Sequence, residues 1–159
     1  MRRFAFIVTA ILAMLTLLSC NNRVGDITVR DFRIDQVVPE SLHSVRFTVA
    51  IEQHNAGVTI KVNTMEGKLL RDGNPVGSFT LLQPVSLTGP GSCWADINAR
   101  AELADGINLL SAFAMVREAD PSRYSVSFVA NVNIGRGNRN IKRDNVPLEK
   151  IVKFANSRQ

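Results

Sequence analysis

The residues best suited to acid–base or nucleophilic chemistry are few in this sequence: two histidines, His43 and His54, and two cysteines, Cys20 and Cys93. A hydrolase needs a nucleophile with a base beside it. His43 is next to Ser44, but neighbouring side chains of an extended segment point to opposite faces. We therefore expect both histidines at strand ends or in turns, exposed or hydrogen-bonded. We predict no catalytic residue and no enzymatic activity.

Metal and ligand chemistry has little support in the residue spacing. No H-x-H, H-E-x-x-H or C-x-x-C pair is present, so we predict no metal site and no cofactor. Trp94 is the single tryptophan, either a core anchor or an exposed platform for a ligand, and we predict the core. Cys93 has no basic neighbour close in sequence that would activate its thiol. We expect it to be a small buried residue.

Basic residues are concentrated between residues 136 and 158, where seven lysines and arginines stand against two acidic residues. The binding candidates in this stretch are Arg136, Arg139, Lys142 and Arg143. An anionic membrane surface or an acidic partner would suit them, at about 1 kcal/mol per basic residue close to a bilayer. The alternative is a solvated edge strand whose charges discourage pairing with another sheet. The sequence leaves both interpretations open.

The first nineteen residues have the three-part pattern of an export signal. Residues 2 and 3 are arginines, residues 4–18 are an apolar run, and the small residue Ser19 precedes Cys20. The run of about fifteen residues is shorter than the ~20 that a membrane-spanning helix needs. No second apolar segment of that length follows. We therefore predict a signal peptide over residues 1–19.

The tetrad LLSC at residues 17–20 resembles the bacterial lipobox, in which leucine lies three positions before an invariant cysteine. The resemblance implies lipid transfer to Cys20, cleavage after Ser19, and acylation of the new amino terminus with palmitate-like chains. Two or three acyl chains, at ~0.8 kcal/mol per buried methylene, hold a protein firmly. Similarity to lipoprotein sorting signals, with Asn21 in place of aspartate, implies the outer membrane, facing the periplasm. Nucleic acid is not an expected partner there.

Cleavage would leave a lipidated tether at residues 20–25 and one domain over residues 26–159, a usual domain length. The loss of two arginines lowers the net charge from +5 to +3. Once Cys20 is lipidated, Cys93 has no partner for an intramolecular disulfide. The domain must therefore depend on its hydrophobic core.

Period-two alternation of apolar and polar residues dominates the mature chain, as in strands with one buried face. The clearest runs are residues 45–51, 58–62, 95–103 and 124–134. The first strand changes parity after Val29, so we expect a bulge near Arg30 and Asp31. Asp72-Gly73 and the GRGN stretch at 135–138 predict hairpins. The chain thus has the turn spacing of an antiparallel sandwich.

One segment has helical spacing instead. Its apolar residues recur every three or four positions between residues 105 and 118. Asp105 can cap the start, and Pro121 prevents continuation. We predict one short amphipathic helix over about 105–118 that covers an open end or edge of the sheets.

The order of these elements resembles the late-embryogenesis-abundant type-2 domain, also called the water-stress and hypersensitive-response domain. The likeness is carried by residues 44–81, with a strand, a polar kink and a hairpin, and by residues 83–103 and 123–137. It implies a small β-sandwich of the immunoglobulin or fibronectin type. The family's Asn-Pro-Asn-like kink is replaced here by Gln53-His54-Asn55, without proline. Bacterial members are often exported lipoproteins, which agrees with the interpretation of Cys20.

We therefore expect a lipoprotein of the cell envelope with a non-enzymatic binding or structural role. Its membrane contact would be the lipid on Cys20, and an envelope protein or an anionic lipid surface would be its further partner. Two alternatives differ in class. One is a periplasmic enzyme with a site built from loops at one end of the sandwich, and the other is a stress-protective protein without a defined ligand.

Overall fold

A computed structural model describes residues 27–112 and 120–148 of the chain. The predicted signal peptide, the tether with Cys20, and residues 113–118 of the predicted helix lie outside these ranges. The described part contains eight antiparallel strands: β1 (Ile27–Pro39), β2 (Ser44–Asn55), β3 (Ile60–Arg71), β4 (Asn74–Leu81), β5 (Val85–Leu87), β6 (Gly91–Leu103), β7 (Tyr124–Ile134) and β8 (Gly137–Pro147). The predicted mainly-β fold, an antiparallel sandwich, is confirmed.

The strands form two layers that share one continuous hydrogen-bonded path, in the order β1-β2-β6-β4-β3-β7-β8. β1, β2 and β6 make one layer, and β3, β7 and β8 make the other. β4 pairs with both β3 and β6 and so joins the layers, while β5 pairs with β3. The sheet does not close, since β1 and β8 are the two ends of the path. Grouping the first, second and fifth long strands against the third, sixth and seventh is the immunoglobulin arrangement.

Two local features, a bulge in β1 and a tight turn after β3, lie where the sequence predicts them. The register of β1 against β2 shifts between Val29 and Asp31, which confirms the bulge expected from the change of parity. Asp72 and Gly73 both have positive φ, 51° and 82°, at the turn between β3 and β4. Positive φ at both central residues defines the type I′ turn, whose twist matches that of the flanking strands.

The core lies between the inward faces of the two layers. Val49, Ile51 and Ile97 face it from β2 and β6. Val62, Ala130 and Val132 face it from β3 and β7, each with 0% of its surface exposed. Because the alternation brings every second residue inward, the two layers bury a contiguous apolar cluster, and the outward faces carry the polar residues.

A short helix begins later than the sequence predicts. Residues 109–112 are helical, and the cap is Asn108, whose Oδ1 accepts a 2.9 Å hydrogen bond from the backbone N–H of Ser111. The backbone N–H of Asn108 in turn donates to Ser111 Oγ at 3.0 Å, a reciprocal capping pair. The expectation that Asp105 caps the helix is wrong, because it stands in a turn before Gly106 (φ 81°). In the described residues, no helix is long and apolar enough to cross a membrane.

Candidate functional site

The basic stretch singled out from the sequence forms the hairpin of β7 and β8. Ile134 pairs with Gly137, so Gly135 and Arg136 are the two central residues of the turn. Gly135 has a positive φ of 59°, as the first central position of a type II′ turn requires. Arg136 is thereby placed at the exposed tip of the hairpin.

The other three basic candidates do not share one face. Arg139 lies opposite Val132 and Arg143 opposite Phe128, both inward-facing residues of β7. Lys142 lies opposite Val129, on the outer face, and its Nζ is 3.6 Å from Asp144 Oδ2. Because directly opposed residues lie on the same side of a sheet, Arg139 and Arg143 border the open edge of the core. Lys142 belongs to the outer surface.

Five asparagines hold the hairpin together on its outer face. They are Asn63, Asn131, Asn133, Asn138 and Asn140. Asn131 Nδ2 donates to Asn138 Oδ1 at 2.9 Å and to Asn140 Oδ1 at 2.7 Å, and Asn138 Nδ2 donates to Asn133 Oδ1 at 2.6 Å. Asn63 Nδ2 on β3 donates to Asn131 Oδ1 at 2.8 Å. These hydrogen bonds link three strands and restrain the hairpin that carries Arg136. Sequence reasoning did not identify this asparagine network.

The hairpin tip lies at the end of the sandwich where β1 begins. Ile27 is opposite Asn55, and Asn55 is opposite Gly91, so β1 and β6 start where β2 ends. After the loop 56–59, Ile60 starts β3 opposite Ile134, the last residue before the tip. We call this the hairpin end: Ile27, the loop 56–59, the connection 88–90 and the turn 135–136.

Asn55 closes the hairpin end from within. Its side chain is fully buried. The amide Nδ2 donates to Val58 O at 2.8 Å and to Leu87 O at 3.1 Å, and Oδ1 accepts from the Gly57 N–H at 2.9 Å. One buried amide therefore ties the loop after β2 to the end of β5. These hydrogen bonds restrain the loop 56–59.

Two groups of paired charges lie at the end opposite the hairpin end, although Arg71 there forms no salt bridge with a described residue. At the hairpin end Lys61, Arg136 and Arg139 form no salt bridge with any described residue. At the opposite end Glu40 accepts from Arg100 Nε at 2.6 Å and lies 3.6 Å from Arg46 Nε, and Asp72 binds Arg123. The hydrogen bond from Arg100 lowers the pKa of the Glu40 carboxyl below its usual range. The Arg123 guanidinium lowers the pKa of Asp72 in the same way.

Trp94 is exposed, and the prediction that it belongs to the core is wrong. It has 47% of its surface exposed, and the Arg33 guanidinium lies 5.0 Å from the ring centroid. In β6 the inward residues are Ala95, Ile97 and every second residue after them, so Trp94 falls on the outward parity. Arg33, held at 2.7 Å from Asp35 Oδ1, covers the ring from β1. The pair lies on the outer face, a few residues from the hairpin end.

Replacing Arg33 with alanine is expected to expose the Trp94 ring further. We expect a red-shifted emission and faster acrylamide quenching, with less than about 1 kcal/mol of lost stability, the usual size of an exposed cation–π contact. Fluorescence of the folded protein measures this directly, because Trp94 is the only tryptophan. Arg46→Ala, on the same face, is the matched control. An unchanged emission maximum and quenching rate in Arg33→Ala would contradict the contact.

The histidines occupy the kinds of position expected of them. His43 is exposed in the turn before β2, and its backbone N–H donates to Ser41 Oγ at 3.1 Å. His54, next to the end of β2, has Nδ1 2.8 Å from Ser92 Oγ on β6. No described carboxylate hydrogen-bonds to either histidine, so the His54–Ser92 pair lacks the third group that orients a catalytic base. Within residues 27–112 and 120–148, no three His, Cys, Asp or Glu side chains are grouped to hold a metal ion.

Cys93 is half-buried, where the sequence analysis expected a buried residue. Gln53 lies opposite it across β2 and β6, and Gln53 Nε2 is 3.0 Å from the Cys93 Sγ. The same Nε2 donates to Thr88 O at 2.9 Å, while the buried Oε1 has no partner among the described residues. Gln53 and Asn55 are thus the buried polar pair of the segment that the sequence analysis interpreted as a polar kink.

A shallow groove of about 400 Å³ lies elsewhere, on the outer face of β4, β3, β7 and β8. Its polar lining includes Glu66, Lys68, Ser78, Thr80 and Asp144. All of these residues belong to strands. The groove is therefore a feature of the sheet surface, distinct from a site built by loops at one end of the sandwich.

No protein-family model matches the chain, and no curated protein matches it. Among solved structures, it is similar to a protein from Archaeoglobus fulgidus (11% identity, TM-score 0.43, 73% of this chain and 91% of that one). It is also similar to the GAE domain of yeast GGA1 (17% identity, TM-score 0.33, 77% of this chain and 99% of that one). A third similar structure is described as a "putative late embryogenesis abundant (LEA) protein" (14% identity, TM-score 0.35, 90% of this chain and 87% of that one).

Proposed function

We propose that this protein is a lipid-anchored, non-enzymatic binding module of the cell envelope, and that its hairpin end is the binding surface. The observation that carries the proposal is the placement of Lys61, Arg136 and Arg139 at one end without a salt bridge to a described residue. Elsewhere Arg46, Arg100 and Arg123 are paired with carboxylates, whereas Lys68, Arg71 and Arg143 form no salt bridge with a described residue. Charges that are not paired internally remain available to an anionic ligand.

The hydrogen bonds that hold the hairpin in place make the hairpin end suitable for binding. The asparagine network and the buried Asn55 hold the tip and the neighbouring loops in place. A surface that is already ordered loses little conformational entropy when it binds. Each unpaired basic residue would contribute roughly 1 kcal/mol close to an anionic surface. The contribution decreases with salt, because the Debye length is only about 8 Å at physiological ionic strength.

The anchor is the second part of the proposal. Its support is the lipobox-like tetrad before Cys20 and the export pattern before it. Acylated Cys20 would hold the domain at the outer membrane, facing the periplasm, as the sorting signals it resembles imply. We further infer that the domain is related to the late-embryogenesis-abundant type-2 group. The support for this inference is the order of elements over residues 44–137 and the buried polar kink of Gln53 and Asn55.

Occupancy of the hairpin end in native envelopes tests the binding role. Val58→Cys places a thiol in the loop 56–59, where the native side chain is 52% exposed. We expect a membrane-impermeant maleimide to label it at least fivefold more slowly in isolated envelopes than in detergent-solubilised protein. Adding Arg136→Glu and Arg139→Glu is expected to remove most of that difference.

Two controls isolate the effect of the hairpin end. Lys142→Glu with Arg143→Glu makes the same change of charge farther along β8, and it should preserve slow labelling. Leu42→Cys, at the opposite end and 71% exposed, should be labelled at similar rates in envelopes and detergent. Equal labelling of Val58→Cys with native and reversed hairpin charges would show that these arginines do not hold a ligand.

A further inference from the structure

The chain reaches the domain at the hairpin end. β1 begins at Ile27, opposite Asn55, and the turn with Arg136 lies at the same end of the two layers. Six residues, 21–26, separate Ile27 from Cys20. The seven peptide units from Cys20 to Ile27 span at most roughly 24 Å when fully extended.

This tether is short compared with the domain. The long strands contain 11 to 13 residues, so the sandwich is about 35–45 Å long at ~3.3 Å per residue. A lipid at Cys20 would therefore keep Ile27, the first residue of β1, within roughly 24 Å of its point of attachment. The opposite end, where Glu40 and Asp72 are paired with arginines, can point away from the membrane. Because Lys61, Arg136 and Arg139 are at the same end as Ile27, this tether allows them to reach lipid headgroups.

The composition of the hairpin end suits a membrane surface. Arg136 is at the tip, Arg139 is the third residue of β8, and Lys61 is the second residue of β3. Val58 adds an exposed apolar side chain to the loop between β2 and β3. The nearest acidic residues of the first layer, Asp31 and Glu52, are register partners on β1 and β2, four and three residues from the hairpin end. Basic groups at a rim and apolar groups beside them are features of surfaces that bind anionic lipid.

We propose that the hairpin end rests on anionic phospholipid headgroups of the same bilayer that holds the lipid on Cys20. This inference depends on the proposed function, since it identifies the ligand of the proposed binding surface. The lipid chains would supply attachment, and Arg136, Arg139 and Lys61 would orient the domain. The end with Glu40 and Asp72 would then face the periplasm.

Energy transfer from Trp94 to dansyl-labelled lipid tests the orientation in the intact, lipidated protein. Trp94 is the only tryptophan, so no other tryptophan contributes donor emission. The protein is inserted into vesicles of phosphatidylcholine, with or without phosphatidylglycerol. We expect more transfer when phosphatidylglycerol is present, and loss of that gain in 1 M salt, where the Debye length falls to about 3 Å.

Charge reversal identifies the groups responsible. At about fivefold per basic residue near an anionic surface, removing two arginines should lower the ratio of docked to undocked protein roughly 25-fold. Arg136→Glu with Arg139→Glu should therefore abolish the gain from phosphatidylglycerol, whereas Lys142→Glu with Arg143→Glu should retain at least half of it.

The outcomes separate this inference from the proposed function. If envelopes protect Val58→Cys but phosphatidylglycerol changes nothing in vesicles, the lipid proposal is overturned and a protein occupies the surface. An equal gain with native and reversed arginines also overturns it. If the protein carries no lipid and does not insert into vesicles, the proposed anchor itself has failed.

Discussion

Replacing Cys20 with alanine is expected to leave a full-length, unlipidated precursor that retains residues 1–19. The lipid would be attached to the sulfur atom of the Cys20 thiol, and alanine offers no nucleophile in its place. Lipid-dependent cleavage after Ser19 should then fail as well. Mass spectrometry of the purified protein measures both effects, because the precursor keeps the signal peptide and lacks the acyl chains.

Cys93→Ala is the matched control for this experiment, since it removes the other cysteine of the chain. It should be processed and lipidated like the wild type. A Cys20→Ala protein that is cleaved, acylated and membrane-bound as the wild type is would show that residues 17–20 are not a lipobox. Such a result would leave the hairpin end without its proposed tether, and the orientation argument would lose its basis.

Replacing Asn55 with alanine is expected to destabilise the domain by about 3 kcal/mol, because three hydrogen bonds of a buried side chain are lost together. The carbonyl groups of Val58 and Leu87 would lose a donor, and the N–H of Gly57 would lose its acceptor. For a domain of this size the loss corresponds to a fall in Tm of roughly 10 °C. Thermal unfolding followed by circular dichroism measures it.

Asn140→Ala provides the comparison. Asn140 is exposed on β8 and accepts one hydrogen bond from Asn131, so its loss should change stability by no more than about 0.5 kcal/mol. If Asn55→Ala and Asn140→Ala unfold at the same temperature, then Asn55 does not hold the loops of the hairpin end. The rigid support assumed for the binding surface would then be absent.

Much of the fold could be predicted because its signals are local. The predicted run at 124–134 coincides with β7, and the change of parity after Val29 marks a real bulge. The exposure of Trp94 could also have been predicted from the sequence. Its parity is opposite to that of Ala95 and Ile97, but the prediction gave more weight to the usual burial of tryptophan than to the alternation. The helix cap was misplaced because Asp105 and Asn108 are both good capping residues. Gly106 forms a turn directly after Asp105, so the helix begins after Asn108 instead.

The asparagine network was harder to predict from the sequence. The side chains of Asn131 and Asn133 lie on the same face of the hairpin as those of Asn138 and Asn140 only if the turn consists of the two residues Gly135 and Arg136. A shift of one residue in the pairing would move one pair to the other face. Asn63 comes from β3, and its partner Asn131 lies on a strand almost seventy residues later in the chain. The hydrogen bonds depend on a register that local patterns do not specify.

By itself, the sequence determined the alternation of β2, β6 and β7, the bulge in β1, the turn at Asp72-Gly73, and which cysteine stands in a lipobox-like tetrad. These properties depend on neighbours within a few positions, because side chains alternate every residue along an extended chain. The tertiary structure alone decided that Lys61, Arg136, Arg139 and the start of β1 share one end of the sandwich, and that Lys142 and Arg139 lie on different faces. Those relations arise from hydrogen-bonded pairing between strands distant in sequence, which only the folded chain brings into register.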